Sequence, residues 1–264
     1  MNDRTVRIVA RVGYGARGVV YLIVGGFAVT AALVGGQTTD AKGALRELWQ
    51  QPFGLALLAL VAAGLLAHAT WRLLQALLDA DDHGLGAKGL VVRASLLVSG
   101  LVHAGLAVSA VRLALGAGSG GGDSEQSLAG SLLAQPFGPY LVAAVGLAVI
   151  AGGLGQTGRA LSGRFRRTLR LEACGLQRLG PLCAAGLAAR GLLLAIVGLL
   201  FLLAALELDP EQAGGLTDAL AWLRGQPYGG VLFLAMALGL FAFGCYSLVQ
   251  ARCRIVRNVE LGVR

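Results

Sequence analysis

One four-residue stretch occurs three times along the chain: Gln51-Pro52-Phe53-Gly54, Gln135-Pro136-Phe137-Gly138 and Gln226-Pro227-Tyr228-Gly229. An apolar segment precedes each copy, a short polar connection leads into it, and a second apolar segment follows at once. Self-similarity at so long a period means one structural unit used three times. The units fall at about 11–80, 87–160 and 182–254.

Composition decides the solvent for these units. Only 14% of the 264 residues are charged and 56% are hydrophobic, whereas a soluble domain carries about 25% charged residues. That leaves too few charges to cover a water-facing surface. The 41 glycines suit a bilayer, because small residues let membrane helices approach closely. Six apolar runs, near 17–34, 53–78, 91–115, 138–157, 182–206 and 228–250, are of the length needed to cross the hydrocarbon core, roughly 20 helical residues. They are continuously apolar and do not alternate with period two, which argues against spanning strands. The expected fold class is an all-α integral membrane protein. It is a single membrane domain, 1–264, of six transmembrane helices in three tandem hairpins around a pseudo-threefold axis. Arg4, Arg7 and Arg11 before the first run imitate a secretion signal. That run begins Gly15-Ala16-Arg17-Gly18, which matches the internal Ala188-Ala189-Arg190-Gly191, so it is read as retained.

Orientation follows from the basic residues. Eighteen of the 22 Lys and Arg residues fall on one side of the six spans, and only Lys42, Arg46, Arg112 and Arg224 on the other. The positive-inside rule then places both termini in the cytoplasm. The net charge of +8 is spread as an orientation signal and forms no nucleic-acid face.

Within each unit, Leu48, Leu132 and Leu223 stand three residues before the Gln-Pro pair. Ala44–Trp49 and Leu220–Leu223 read as short amphipathic helices in the outer interface, with Trp49 and Trp222 at headgroup depth. The motif reads as a structural turn into the membrane. Proline in the first helical turn loses no needed N–H, the aromatic ring lies in the interfacial belt, and glycine permits a close neighbour. On the other side Arg17, Arg93 and Arg190 each open an outgoing helix. Three such arginines around a threefold axis form a lipid- or anion-binding ring, since guanidinium forks match phosphate. The simpler alternative has each side chain snorkel to the interface. On the returning helices Trp71 and Gln75 correspond to Tyr246 and Gln250, each pair on one helix face. The middle unit departs from this pattern with Gly155 and Arg159.

These shared positions, an Ala-Arg-Gly-like start, the Leu-x-x-Gln-Pro-Phe/Tyr-Gly turn and an aromatic-x-x-x-Gln exit, resemble the bacterial membrane family known as domain of unknown function 1206. The resemblance covers nearly the whole chain, from about Arg11 to Arg252, and includes all three repeats. It implies a six-helix bacterial membrane protein and brings no established activity.

Residues able to carry chemistry are few. His68 and His103 lie inside adjacent spans at similar depth, and intramembrane ionisable groups are functional candidates by default. Two imidazoles can ligate a haem iron; a neutral histidine hydrogen-bonded to a neighbouring helix is the simpler reading. No other cofactor and no metal is expected. Cys174, Cys183, Cys245 and Cys253 lack Cys-x-x-Cys spacing and fall toward the cytoplasmic side, where thiols stay reduced. Gly120-Gly121-Gly122-Asp123 lacks the Lys-Ser/Thr of a phosphate loop and reads as a linker, and His83 among Asp79, Asp81 and Asp82 reads as a solvated loop. In the connection 158–181, Phe165, Leu169, Leu176 and Leu179 recur at helical spacing among arginines, which predicts a basic amphipathic helix on the anionic leaflet.

Three functions are consistent with this reading. The one adopted is a structural, accessory or lipid-interacting membrane subunit that is not an enzyme. It would contact anionic inner-leaflet lipids and a membrane-protein partner or a second copy of itself. The alternatives are a small-solute transporter or channel, and a haem-binding redox subunit using His68 and His103.

Overall fold

The computed structural model describes residues 3–34, 45–46, 49–50, 53–79, 84–116 and 124–255. Six long helices carry the architecture: α1 (Asp3–Val34), α2 (Gly54–Leu77), α3 (Ala87–Ala114), α5 (Gly138–Leu161), α6 (Gly180–Glu207) and α8 (Gly229–Cys253). Two short helices, α4 (Ser124–Leu133) and α7 (Leu216–Arg224), precede the second and third Gln-Pro motifs. Among the described residues, six helices are long and apolar enough to cross a membrane, including Arg7–Val34 and Gln177–Glu207. Several outrun the expected spans. At 32 residues, α1 is about 48 Å long, so its first turns, with Arg7 and Arg11, extend beyond an apolar slab.

The units contact one another more than they contact themselves. Extensive interfaces join α2 to α3, α5 to α6 and α8 to α1, each pairing the returning helix of one unit with the outgoing helix of another. The hairpins α1/α2 and α6/α8 pack less extensively, and α3 and α5, the arms of the middle unit, scarcely meet. The bundle is therefore a ring of six helices, opened between α3 and α5. Glycine explains the closest interface. A Cβ on Gly198 would lie 2.6 Å from the Gly146 carbonyl oxygen, and one on Gly191 would lie 2.6 Å from that of Gly153. Backbones at such distances leave no room for a side chain, as expected where van der Waals packing drives association in lipid.

The repeated turn differs from its expected form. The helices start at Gly54, Gly138 and Gly229, and the aromatic residue before each is the N-cap, at φ 62, 62 and 61. Proline therefore precedes the helix and does not occupy its first turn. The Gly138 N–H donates to Gln135 O at 2.9 Å, and the Gly229 N–H to Gln226 O at 2.8 Å. Closing that turn sets the third residue at positive φ, which overrides the usual proline placement. Gln51 and Pro52 lie outside the described residues. Phe53, Phe137 and Tyr228 are 86%, 78% and 87% exposed, so the rings project away from the bundle.

A left-handed conformation costs an L-residue roughly 1–2 kcal/mol. Phe137→Asn is thus expected to raise the unfolding free energy in detergent, where the ring's bilayer anchoring is absent, by about 0.5–1 kcal/mol. Gly138→Ala does the reverse, since its Cβ would collide with the Leu133 carbonyl, and a loss of about 1–3 kcal/mol is expected. Chemical unfolding of both variants checks the pair.

The connection 162–179 is not the expected amphipathic helix. It comprises two short 3-10 segments, Arg164–Thr168 and Gln177–Leu179, separated by turns. Phe165, Leu169 and Leu171 turn inward and are buried against Leu187, Phe243, Tyr246 and Val249. An antiparallel bridge pairs Leu169 with Arg254, and the Arg170 N–H donates to Cys253 O at 2.8 Å. The apolar spacing that suggested a helix lying on lipid instead closes this end of the bundle.

Cys174 and Cys253 form a disulfide with a Cα–Cα distance of 6.2 Å, which corrects the reading of four unpaired thiols. Cys183 and Cys245 are free, the first buried and the second half-buried.

Candidate functional site

The polar groups inside the bundle gather around two aromatic rings near its arginine-rich end. Arg17 is only 4% exposed. Its Nε donates to Ser247 Oγ at 3.2 Å and an Nη donates to Gln250 Oε1, tying α1 to α8. The guanidinium also lies 5.1 Å from the Tyr14 ring centre and 5.0 Å from that of Phe243. Arg190 approaches the same Phe243 ring at 4.9 Å. Its Nε donates to the Tyr21 hydroxyl at 3.1 Å and Nη1 donates to Gln156 Oε1 at 3.0 Å, joining α6 to α1 and α5.

Tyr14 is the second centre. Arg17, Arg72 and Arg254 approach its ring at 5.1, 6.0 and 5.1 Å, and its hydroxyl accepts from Trp71 Nε1 at 3.0 Å. A cation over an aromatic face gains more as it loses water, and here the ring is fully buried. The oxygen acceptors of Arg17 and Arg190 are hydroxyls and amides, all neutral.

Of the three arginines that a ring would use, Arg17 and Arg190 converge on Phe243. Arg93 lies elsewhere, donating to the Ala76 and Leu77 carbonyls at 2.7 and 3.0 Å and so capping the C-terminal end of α2. In all three cases the arginine of an outgoing helix grips the returning helix of another unit. The middle unit also compensates for its departure from the pattern. Arg159 stands where the others carry Gln75 and Gln250, but Gln156, one turn earlier, supplies the amide that Arg190 needs. Its Nε2 also donates to Leu187 O at 3.2 Å.

His68 and His103 do come together, with ring centres 4.5 Å apart and edge to face. His103 Nδ1 is 2.7 Å from Ser99 O. His68 Nε2 accepts from Arg72 Nε at 3.4 Å, while its Nδ1 is buried with no hydrogen-bond partner. Ligation of one haem iron by both would require the macrocycle to lie between the rings. They already touch, so the pair does not fit that role. Counted from the Gln-Pro motif, His68 occupies the place that Phe243 takes in the third unit.

Sequence reasoning missed Tyr14, Tyr21 and Phe243 as partners. A signal was present: Tyr14 and Tyr21 stand three before and four after Arg17, on one helix face.

Three tandem two-helix units, six apolar spans and a buried arginine–aromatic interior define a polytopic α-helical membrane protein. The Domain of Unknown Function (DUF1206) family matches residues 12–79, 94–163 and 185–254, and the chain belongs to that family. It is 31% identical over 246 residues to "Uncharacterized protein YxxB" of Bacillus subtilis (strain 168), covering 91% of this chain and 88% of that one. No solved structure matches it.

Proposed function

We infer that this is a non-catalytic accessory protein of the bacterial inner membrane that engages anionic lipid at its basic end. The observation that carries this reading is how the interior polar groups are used. Arg17 and Arg190 hold helices of different units together through neutral acceptors and ring faces. Such an interior favours a fixed shape over a moving one, as suits a scaffold for lipid or a neighbouring membrane protein.

Arg7 and Arg11 of α1 and the last residues of α8 line one cavity, so the start of α1 and the end of α8 lie at the same end of the bundle. The excess of arginine supports a cytoplasmic position for that end. The Cys174–Cys253 bond favours the opposite side, but it is one pair set against eighteen basic residues. Labelling of reduced, sealed vesicles with an impermeant thiol reagent distinguishes the two sides.

Gentle extraction followed by native mass spectrometry tests the function. A stoichiometric protein partner or retained anionic lipid is expected. A bare chain that instead carries solute flux in liposomes would contradict the reading.

A further inference from the structure

The bond between Cys174 and Cys253 stands at the end of the bundle where α1 starts and α8 finishes. Eighteen basic residues favour the cytoplasm for that end. Disulfides are rare in that compartment, and those that occur there are transient, catalytic or redox-sensing. The two observations agree if this bond is of that reversible kind.

Its two sulfurs differ in access. Cys253 is 3% exposed and shares a buried cluster with Phe243, Tyr246 and Val249. Cys174 is half-buried, on a turn whose flanking residues Ala173 and Gly175 are exposed. Gly175 takes φ 68, so the backbone reverses just past the sulfur. An attacking thiolate therefore meets Cys174 first.

The bond also spans a joint that can part without disturbing the helices. It ties the connection 162–179 to the last residue of α8, 79 positions away. Beside it runs a short backbone pairing. The Arg170 N–H donates to Cys253 O at 2.8 Å and the Ile255 N–H to Thr168 O at 3.0 Å, around the Leu169–Arg254 bridge. So small an isolated pairing opens readily, and a covalent link across it limits how far its sides separate. Burial of Phe165 and Leu169 brings the sides back together. The Cα atoms are then 6.2 Å apart, within the range a disulfide accepts.

We propose that Cys174–Cys253 is a reversible thiol–disulfide site, a latch opened by a cytoplasmic dithiol and closed by exchange with a disulfide. In opening, a thiolate of the reductant bonds to Cys174 Sγ as the Cys174–Cys253 bond breaks. Cys253 leaves as a thiolate and takes up a proton. The reductant's second thiol then displaces Cys174. The dithiol gives up two electrons and two protons to become a disulfide, and the two cysteines gain them. Opening frees the connection from α8 while α5 and α6 stay packed through their glycines. The proposal rests on the accessory reading only for the cytoplasmic position of this end.

The test uses the full chain. In intact bacteria that express it, acid quenching, alkylation and peptide mass spectrometry give the oxidised fraction of Cys174 and Cys253. The pair is expected to be mostly reduced during growth. Diamide, which converts cell thiols to disulfides, should raise the oxidised fraction about fivefold or more, reversibly. In detergent, hydrogen exchange compares the oxidised protein with the same protein after dithiothreitol. Peptides over 166–176 and 250–255 should exchange about tenfold faster once reduced, while α6 changes less than about twofold. Cys174→Ser should match the reduced form with or without oxidant.

A pair that stays oxidised throughout growth, or never oxidises under diamide, would overturn the proposal. So would exchange rates that agree between the two states. Labelling with the impermeant thiol reagent separates the causes. Permanent oxidation on the outer side removes the cytoplasmic assignment as well, whereas permanent oxidation on the inner side leaves it standing. Partner and lipid retention are measured independently of both.

Discussion

Gly191→Val is expected to unfold or disperse the protein in mild detergent. A Cβ at this position would collide with the Thr157 hydroxyl and lie 2.6 Å from the Gly153 carbonyl oxygen. Neither obstacle is the free end of a flexible chain, because both belong to the backbone or first side-chain atoms of α5. The α5/α6 interface must therefore part along its length, and Gly146 would lose its contact with Gly198 as well. Overpacking of this kind costs about 3 kcal/mol or more when the backbone cannot shift. The ring is already open between α3 and α5, so among the described residues no other long helix packs extensively against α5. The readout is the midpoint of chemical unfolding beside the wild type. Gly152→Val is the control, because that glycine lies on the facing helix α5 but meets open space, and it should cost little.

Arg190→Met should be the most damaging change of a polar side chain in the bundle. The side chain touches α1 at Tyr21, α5 at Gln156 and α8 at Phe243. Methionine keeps much of the volume and removes all three interactions. Hydrogen bonds between membrane helices contribute about 0.6–1.7 kcal/mol each, and a desolvated cation–π contact about 2 kcal/mol. A loss of roughly 2–4 kcal/mol is expected, allowing for partial repacking. Arg190→Lys should recover only part of it, since an ammonium is a point charge and cannot span Tyr21 and Gln156 with a planar fork. Full recovery by lysine would mean that charge alone matters here.

Several levels of the structure were legible in the residues, and others were not. The six spans follow from apolar length, and α7 follows from the short amphipathic segment before the third Gln-Pro motif. The shared motif revealed which positions are equivalent. Equivalence does not reveal which unit a helix packs against, so the dominance of contacts between units became visible only in three dimensions. The turn was misread because proline at the start of a helix is the commoner arrangement. Here a hydrogen bond from Gly138 back to Gln135 fixes a tighter geometry. Phe165, Leu169, Leu176 and Leu179 show helical spacing, but a chain folding back on its own core buries apolar residues at similar intervals. Cys174 and Cys253 are 79 positions apart, and no local pattern connects them. The buried arginines were identified, but their partners could not be. Gln156 lies one turn away from the position that alignment indicates.

The central claim is that the arginine-centred interior exists to hold the three units together. The coupling between Arg17 and Gln250, from unfolding free energies of Arg17→Met, Gln250→Leu and the double variant, tests it most directly. The two residues link the first and third units through a buried hydrogen bond. A hydrogen bond to a charged group contributes about 1.5–3 kcal/mol, and a coupling energy near that range is expected. Additive effects, with both single variants near wild-type stability, would contradict the claim.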